Sequence, residues 1–224
     1  MTALPLGRVT GVLFDLDGTL IDSAPGITEC LAATVAHFGG PVLDPTTLVS
    51  VVGPPVIDTL GTYLSVPVLP QAVEHYRSLY WDRGLANSTV FGGIPALLGM
   101  LRELGVPVAV ATSKRGSHAR AILDHHGLAG RFSVVAGAAE DDTAADKTTL
   151  IGVARTQLGE AGAHPVMIGD RSFDIAGALA AGIPSVFAAW GYGAPAEGDG
   201  ASLVADSPPD LSELLTPHLV QGVQ

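Results

Sequence analysis

A short run of apolar residues that leads directly into two acids, at residues 12–20, constrains the fold of this chain more than any other stretch. The string is Val-Leu-Phe-Asp-Leu-Asp-Gly-Thr-Leu. A short apolar run bounded by a turn residue predicts a buried β-strand, and Gly18 is such a residue. We therefore expect a strand over residues 12–15, with Asp15 at its carboxyl end and Asp17 in the loop beyond.

Asp15 and Asp17 stand one residue apart, and two carboxylates this close repel each other. A divalent cation removes that problem, and Mg²⁺ usually binds through one or two carboxylates plus substrate phosphates. A carboxylate beside such a cation can be a nucleophile that forms an aspartyl-phosphate. A second acid nearby can protonate the leaving oxygen. The alternative is a solvated pair of acids in a turn, where Asp is common.

The rest of the chain alternates between helical and strand patterns, except for residues 23–85, where only helical patterns occur. Alternating strands and helices imply a parallel sheet with helices on both faces. The predicted fold is α/β: a doubly wound parallel sheet, with a small helical insertion after the first strand. We expect a core domain over residues 1–22 and 86–224 and a helical cap over 23–85. The later strands are predicted at 106–111, 132–136, 165–168 and 185–188.

Composition excludes several other classes of protein. The 224 residues carry a formal net charge of −11 and no extended run of Lys and Arg, so a basic face for nucleic acid is not expected. Residues 175–196 are uncharged, but Gly182 and Pro184 interrupt them, so no membrane span is expected. Cys30 is the single cysteine, which rules out a disulfide within the chain. The N-terminus lacks a signal-peptide pattern, and a cytoplasmic protein is expected.

Thr112, Ser113 and Lys114 follow the second predicted strand. Ligands of open α/β sheets bind beyond the carboxyl ends of the strands, and a hydroxyl, main-chain N–H groups and an ammonium can together hold a phosphoryl group. The alternative is a helix N-cap, a position that Ser and Thr prefer. The phosphate-binding interpretation is favoured because Lys114 is one of only two lysines in the chain.

The second lysine, Lys147, opens a predicted helix directly after Asp146. A cation in the first helical turn is disfavoured by the helix dipole. It therefore needs another reason to be there, such as compensating the charge of Asp15 and of a phosphoryl group in transfer. The alternative is a solvated surface lysine beside Asp146.

The string at residues 14–20 resembles the first motif of the haloacid dehalogenase-like phosphohydrolase superfamily. The resemblance implies that Asp15 is the nucleophile and Asp17 the acid/base. It also implies that the Asp15 carboxylate and the Asp17 main-chain carbonyl are Mg²⁺ ligands. Thr112 and Lys147 match the second and third motifs, with Thr112 binding phosphate and Lys114 in a position that contacts substrate.

The string Gly-Asp-Arg-Ser-Phe-Asp at residues 169–174 is similar to the fourth motif. There Asp170 would bind Mg²⁺, and Asp174 would hold it through water or orient a ligand. As helix N-terminal acids, these residues have a simpler alternative role. The residues Gly53-Pro54-Pro55 are either a substrate-specificity loop of the cap or only a rigid turn. The residues Gly191-Tyr192-Gly193 resemble a family loop to which we assign no role.

The function expected from this resemblance is a Mg²⁺-dependent phosphatase that hydrolyses a small phosphate monoester through an aspartyl-phosphate. The motifs are similar to the phosphoglycolate phosphatase and 5′-nucleotidase branches, and the residues leave both open. Dehalogenases of the superfamily lack the second acid, so Asp17 argues against dehalogenation. A sugar phosphomutase and a non-catalytic phosphate-binding module stay as alternatives. The sequence leaves the oligomeric state open.

Overall fold

The computed structural model, which describes residues 3–139 and 146–220, contains a six-stranded parallel sheet. Residues 1–2, 140–145 and 221–224, which the predicted core domain also includes, lie outside the described residues. Every pairing between neighbouring strands of this sheet is parallel. In spatial order the strands are β5 (Val134–Ala138), β4 (Val108–Arg115), β1 (Gly11–Phe14), β6 (Pro165–Gly169), β7 (Ser185–Ala188) and β8 (Leu203–Ala205).

Helices cover both faces of this sheet. Leu13 points to the face on which α6 and α7 pack, in a core that also contains Ala109 and Met167. Val12 and Phe14 alternate to the opposite side. In addition, α5 packs on β4 and β5, and α8 packs on β8 and contacts α4. The predicted doubly wound α/β fold is therefore confirmed. These helices are α4 (Ile94–Glu103), α5 (Gly116–His125), α6 (Lys147–Leu158), α7 (Ser172–Ala180) and α8 (Pro208–Leu215).

β1 lies inside the sheet because its apolar residues can be buried on both sides. All four of its residues are buried, as expected for a strand of a parallel sheet. It pairs with β4 on one side and with β6 on the other, where Phe14 lies opposite Ile168. After β1 the chain forms β4 and β5 on one side of it, and then crosses to form β6, β7 and β8 on the other side. The polar residues that follow β1, β4 and β6 therefore come together at a switch point of the sheet.

Three features of the sheet differ from the sequence prediction. The strand predicted at 132–136 is β5, which lies two residues later, at Val134–Ala138. β4 begins at Val108 and continues to Arg115, past the predicted end at residue 111, with a register shift against β5 between Thr112 and Arg115. Arg115, not Thr112 or Ser113, occupies the N-cap of α5, so the alternative of a cap at those two residues is wrong. The edge strand β8 was not predicted, because three residues are too few to show a periodic pattern.

The residues Ile21–Thr89 form a second compact unit, while the described residues up to Leu20 and from Val90 onward form the first. The second unit contains α1 (Ala24–His37), α2 (Val56–Gly61) and α3 (Leu69–Leu79), which continues into a π-helical turn at Tyr80–Gly84. Leu31, Val35, Leu60 and Val73 are buried in its own core. Two short strands, β2 (Ile21–Asp22) and β3 (Thr89–Val90), pair with each other.

A close approach of two main chains fixes the packing inside this second unit. Gly26 of α1 lies so near Gly84 that a Cβ atom at residue 26 would overlap the Gly84 carbonyl. Gly84 itself packs against Tyr80 and Cys30, whose thiol is buried. Within the described ranges, no helix combines the length and the apolar composition that a membrane crossing requires.

Candidate active site

Asp15 and Asp170 follow two neighbouring strands of the sheet, β1 and β6. The Asp15 main-chain N–H donates to the carbonyl of Ile168, at 2.9 Å, so the chain keeps the parallel pairing up to this residue. Asp15 is 6% exposed and Asp170 is fully buried. The two carboxylates are thus delivered to one point by adjacent main chains, not by flexible loops.

Three acids form the centre of the site. Asp15, Asp170 and Asp174 each offer one carboxylate oxygen, and these oxygens all lie within 4.8 Å of one another. Asp174 is fully buried in the first turn of α7, where its Oδ2 accepts a hydrogen bond from the Arg171 main-chain N–H at 3.1 Å. This bond fits the alternative of a helix N-terminal acid, but the other oxygen, Oδ1, lies 2.8 Å from the Lys147 Nζ atom.

Lys147 is the cation of this cluster. It is the first residue of α6, whose N-cap Asp146 accepts a hydrogen bond from the Thr149 N–H at 2.7 Å. The Lys147 Nζ atom lies 3.0 Å from Asp15 Oδ1 and 2.8 Å from Asp174 Oδ1, and it donates to the Ala111 carbonyl at 3.0 Å. Lys147 is 5% exposed, so the alternative of a solvated surface lysine is wrong.

The charges of the cluster do not balance. Burial raises the pKa of Asp15 from 3.8 to about 6, an increase that Lys147 opposes and Asp174 reinforces. Burial also raises the pKa of Asp170 to about 7, with a further increase from the negative charge of Asp15. Burial acts to lower the pKa of Lys147, but Asp15 and Asp174 outweigh it and hold that pKa above its ordinary value. Three acids and one lysine leave room for further positive charge.

This imbalance fits a bound metal ion. Buried carboxylate oxygens are ligands that suit a hard divalent cation, and such a cation would offset the mutual repulsion that raises the two acid pKa values. The cluster Asp15, Asp170 and Asp174 thus has the chemistry of a metal site. Asp17 is not part of this side-chain set, and the expectation that its main-chain carbonyl serves the cation stays a prediction.

Both oxygens of Asp170 are held in place by neighbouring groups. The Thr19 hydroxyl donates to Oδ1 at 3.1 Å, and the Tyr192 main-chain N–H donates to Oδ2 at 2.8 Å. Gly18 has a φ of 82°, and a side chain there would overlap the Asp170 carboxylate. The Asp-Gly-Thr sequence after the first strand therefore helps to orient Asp170, which lies about 150 residues later in the chain.

Asp17 and Lys114 form a separate pair at the same edge of the sheet. The Lys114 Nζ atom lies 3.0 Å from both carboxylate oxygens of Asp17, and both side chains are partly exposed. Thr112 is 2% exposed, and its hydroxyl oxygen accepts the Lys114 main-chain N–H at 3.2 Å. Ser113, between them on β4, is half-buried. A phosphoryl group bound here would have hydroxyl and ammonium groups within reach.

Several residues around the site were not predicted from the sequence. Thr19 and the Tyr192 main chain hold Asp170, and the indole N–H of Trp190 donates to the Thr19 carbonyl at 3.0 Å. Glu197 accepts hydrogen bonds from residues next to Asp170. The available signal was the Gly-Tyr-Gly string, followed by Glu197 as the first charged residue after the uncharged stretch 175–196.

Gly53-Pro54-Pro55 belongs to the second unit, where Gly53 has a φ of 123° and Pro55 precedes α2. The positive φ is a conformation that glycine adopts without strain. This geometry fits a rigid turn, and the role of a substrate-specificity loop stays a prediction.

The matched family model is that of the haloacid dehalogenase-like hydrolases, over residues 12–188. This chain belongs to that family. A crystal structure of a predicted phosphatase from Clostridium acetobutylicum has the same fold, with a TM-score of 0.87 and 33% identity over 94% of this chain and 100% of the other. The chain is thus a member by sequence and by architecture.

Curated relatives in the family carry different descriptions. A tyrosine-protein kinase, PtkA, of Mycobacterium tuberculosis is 43% identical over 81% of this chain, which spans only 62% of that protein's length. A 5′-nucleotidase of Pseudomonas aeruginosa is 36% identical over 85% of this chain and 87% of the relative. A phosphoglycolate phosphatase of Chromobacterium violaceum is 30% identical over 94% and 98%.

Proposed function

We propose that this chain is a Mg²⁺-dependent phosphatase that hydrolyses a small phosphate monoester through an aspartyl-phosphate on Asp15. The observation that carries the proposal is the buried cluster of Asp15, Asp170 and Asp174 around Lys147, beside the Asp17–Lys114 pair. Membership of the hydrolase family and the phosphatases among its relatives support it. The predicted cytoplasmic location and the absence of a nucleic-acid partner stay predictions.

In the first step an Asp15 carboxylate oxygen attacks phosphorus, and the bond from phosphorus to the ester oxygen breaks. The substrate must therefore bind with its phosphoryl group between Asp15 and the carboxyl end of β4. Asp17, two residues further along the chain, gives a proton to the leaving alkoxide. The products of this step are an alcohol and the phosphorylated Asp15.

In the second step water attacks the phosphorus of the aspartyl-phosphate, and Asp17 takes a proton from that water. The bond between phosphorus and the Asp15 oxygen breaks, phosphate leaves and the carboxylate is restored. Thr112, Ser113 and Lys114 would bind the phosphoryl oxygens, and Lys147 would stabilise the negative charge that develops on them.

The metal ligands in this proposal are the carboxylates of Asp15 and Asp170, with Asp174 directly or through water, and the Asp17 main-chain carbonyl. A bound Mg²⁺ supplies positive charge to the phosphoryl oxygens and offsets the repulsion between the carboxylates. Lys147 opposes the protonation of Asp15 that burial favours, as a nucleophile that must be ionised requires.

Phosphoglycolate and 5′-nucleotides are the substrate classes that we favour. Relatives described as a phosphoglycolate phosphatase and as a 5′-nucleotidase match most of this chain. A sugar phosphomutase would use the same two acids but return the phosphoryl group to the sugar. A non-catalytic binding module would keep the fold and the phosphate contacts without turnover.

Phosphoryl transfer to a tyrosine side chain is a second candidate, favoured by the 43% identity to PtkA. The chemistry on Asp15 would differ in the donor of the first step, a nucleoside triphosphate that leaves as the diphosphate, and in the acceptor of the second step, a phenol in place of water. A kinase would need a nucleoside triphosphate as donor. If the transferred phosphate of that donor were labelled, the label would remain on protein tyrosine.

The proposal is tested by phosphate release from a panel of monoesters with Mg²⁺, run beside Asp15→Asn. The panel contains phosphoglycolate, 5′-nucleotides, sugar phosphates and an aryl phosphate. Release that Asp15→Asn abolishes is the expected result, and the ratio of kcat/KM values identifies the substrate class. Full turnover by Asp15→Asn would refute the nucleophile assignment, and activity after exhaustive chelation would refute the role of Mg²⁺.

The same panel, together with an assay that supplies labelled ATP, separates the alternatives. A phosphomutase would convert one sugar phosphate into its isomer without net phosphate release. A kinase would label tyrosine from ATP labelled on the γ-phosphate. A binding module would retain phosphate affinity but release nothing from any member of the panel.

A further inference from the structure

Glu197 lies in a short 3-10 turn after β7 and accepts hydrogen bonds from two separate segments of the chain. Its Oε2 atom lies 2.9 Å from the Arg171 Nε atom, and it accepts the N–H and the hydroxyl of Ser172 at 3.1 and 3.2 Å. Its Oε1 atom accepts the Ala194 main-chain N–H at 3.2 Å. One carboxylate therefore ties the start of α7 to the loop after β7.

These two segments lie on either side of Asp170. Arg171 and Ser172 follow Asp170 directly in the sequence, and the loop that Glu197 holds contains Gly191, Tyr192 and Gly193. A Cβ atom at Gly191 would overlap the Asp170 side chain, and one at Gly193 would overlap the Asp170 carbonyl. The loop is thus packed onto Asp170 as tightly as its two glycines allow.

The loop also makes the polar contacts that orient Asp170. The Tyr192 N–H donates to Asp170 Oδ2, while Trp190 holds the carbonyl of Thr19, whose hydroxyl donates to Asp170 Oδ1. An ionised carboxylate has about four lone-pair sites. With one site on each oxygen occupied by these donors, the remaining sites stay available for a cation.

We propose that Glu197 is a positioning residue for the metal site, because it holds the 190–194 loop against Asp170 and so fixes the orientation of that carboxylate. This inference rests on the metal site of the proposed function. Hydrogen-bond partners of metal ligands fix ligand orientation, and their loss typically weakens metal binding by about 10- to 100-fold. Glu197 acts one step further out, through Tyr192 and Thr19.

A role confined to capping makes a different prediction. Glu197 could serve only to accept the Ala194 and Ser172 N–H groups, in which case its loss would destabilise the fold with or without metal and leave the affinity for Mg²⁺ unchanged. A positioning role shifts the metal affinity itself. The two roles are separated by measuring both quantities on the same variants.

The experiment is calorimetric titration of the metal-free protein with Mg²⁺, for wild type, Glu197→Gln and the matched control Glu160→Gln. Gln has the size of Glu, but its NH₂ group cannot accept a hydrogen bond, so one of the donors around residue 197 loses its acceptor. We expect a Kd for Mg²⁺ about tenfold higher in Glu197→Gln. The control removes the same charge at an exposed residue, and its Kd should equal that of wild type.

Thermal unfolding of the metal-free proteins accompanies the titration, and Ser172→Ala gives a milder variant that removes a single donor to Glu197. A folded Glu197→Gln that binds Mg²⁺ as wild type does would overturn the inference while the proposed function stands. If Glu197→Gln fails to fold, an unchanged Kd in Ser172→Ala would overturn it. Absence of Mg²⁺ binding by the wild type would overturn the metal role in the proposed function and the inference with it.

Discussion

The two lysines of this chain face two aspartates at one edge of the sheet, and the two pairs differ in almost every physical respect. The side chains of Lys147 and Asp15 are 3% and 8% exposed, whereas those of Lys114 and Asp17 are 16% and 12% exposed. Lys147 bridges two acids and a main-chain carbonyl, while Lys114 contacts both oxygens of one acid.

This difference suggests two distinct tasks. A cation buried among three carboxylates is fixed, because moving it would leave charges unpaired in a medium that solvates them poorly. For a lysine that is partly exposed to water, the exchange of one anionic partner for another costs little free energy. We therefore expect Lys147 to be a permanent part of the charge balance. We expect Lys114 to pass between Asp17 and the phosphoryl group of a substrate, which would release Asp17 to carry a proton.

The largest effect is predicted for Lys147→Met. Met fills a similar volume without charge, so the variant leaves Asp15, Asp170 and Asp174 uncompensated. Breaking a buried pair from one side typically costs about 3 to 5 kcal/mol of unfolding free energy. Loss of one charge-stabilising group at a reacting centre costs about 10²- to 10³-fold in kcat. Chemical denaturation of the metal-free protein and kcat with Mg²⁺ measure the two losses.

Lys147→Arg provides the control for that prediction, since it keeps the charge but changes the shape. It should recover much of the stability and less of the activity. A Lys147→Met variant as stable as wild type in the absence of metal would show that the buried cluster does not depend on this lysine, and the contrast between the two pairs would disappear.

The second prediction concerns Asp17→Asn. Asn keeps the shape of Asp17 beside Lys114 but cannot serve as the acid/base. General acid–base groups contribute about 10²- to 10⁴-fold, and the loss should depend on the leaving group. An aryl phosphate leaves without a proton, so phosphorylation of Asp15 continues while hydrolysis of the intermediate slows. Intact-mass analysis should then detect protein carrying one phosphoryl group.

Asp15→Asn serves as the matched variant in that experiment, because it removes the nucleophile and should never accumulate the phosphorylated form. If Asp17→Asn lost the same factor with aryl and alkyl phosphates and no covalent form appeared, Asp17 would not be the acid/base.

The sequence was sufficient for the fold because the strands that matter are apolar and end in polar residues. β1, β6 and β7 were predicted to within about a residue, as buried strands with turn residues beyond them. β4 was predicted to stop at residue 111, where its apolar run ends. Its strand continues to Arg115, with Thr112 and Arg115 paired to β5 on either side of a register shift, because ladder hydrogen bonds use backbone groups and do not need apolar side chains.

The site was predictable where side-chain type carries the chemistry and not where the main chain does. Acids and the rare lysines can be singled out by residue type. The structure brings the carboxylates of Asp15, Asp170 and Asp174 into one cluster, and Lys147 contacts two of them. Their catalytic roles stay predictions. The N–H of Tyr192 has no signature in the sequence, since every residue except proline carries the same group.

A third prediction follows from the raised pKa values in the buried cluster. Asp15 and Asp170 have folded pKa values of about 6 and about 7, above the ordinary value of 3.8. The metal-free folded state therefore binds more protons than the unfolded state. The contribution of these two groups to the free energy of unfolding is fully present below about pH 4, and it is lost as the pH rises through about 6 and about 7. Urea unfolding across this range measures the decline.

Mg²⁺ should reverse that trend, because its ligands must lose their protons before they bind it. We expect the apparent affinity for Mg²⁺ to rise about tenfold per pH unit between about pH 6 and about pH 7, where one proton is displaced per cation, and more steeply below that range. Asp170→Asn removes the group with the higher pKa and should flatten the metal-free stability profile. An unchanged profile in this variant would mean that Asp170 is not protonated in the metal-free protein.

The smallest effect is predicted for Lys114→Met, and it completes the contrast with Lys147→Met. Partly exposed ion pairs contribute at most about 1 kcal/mol, so the free energy of unfolding should barely change. If Lys114 exchanges between Asp17 and the substrate, its loss should weaken substrate binding and raise KM by roughly tenfold, which corresponds to about 1.4 kcal/mol. Steady-state kinetics beside urea unfolding separate the two quantities. A Lys114→Met variant that loses as much stability as Lys147→Met would show that both lysines are structural cations, and the distinction between a fixed and an exchanging lysine would be wrong.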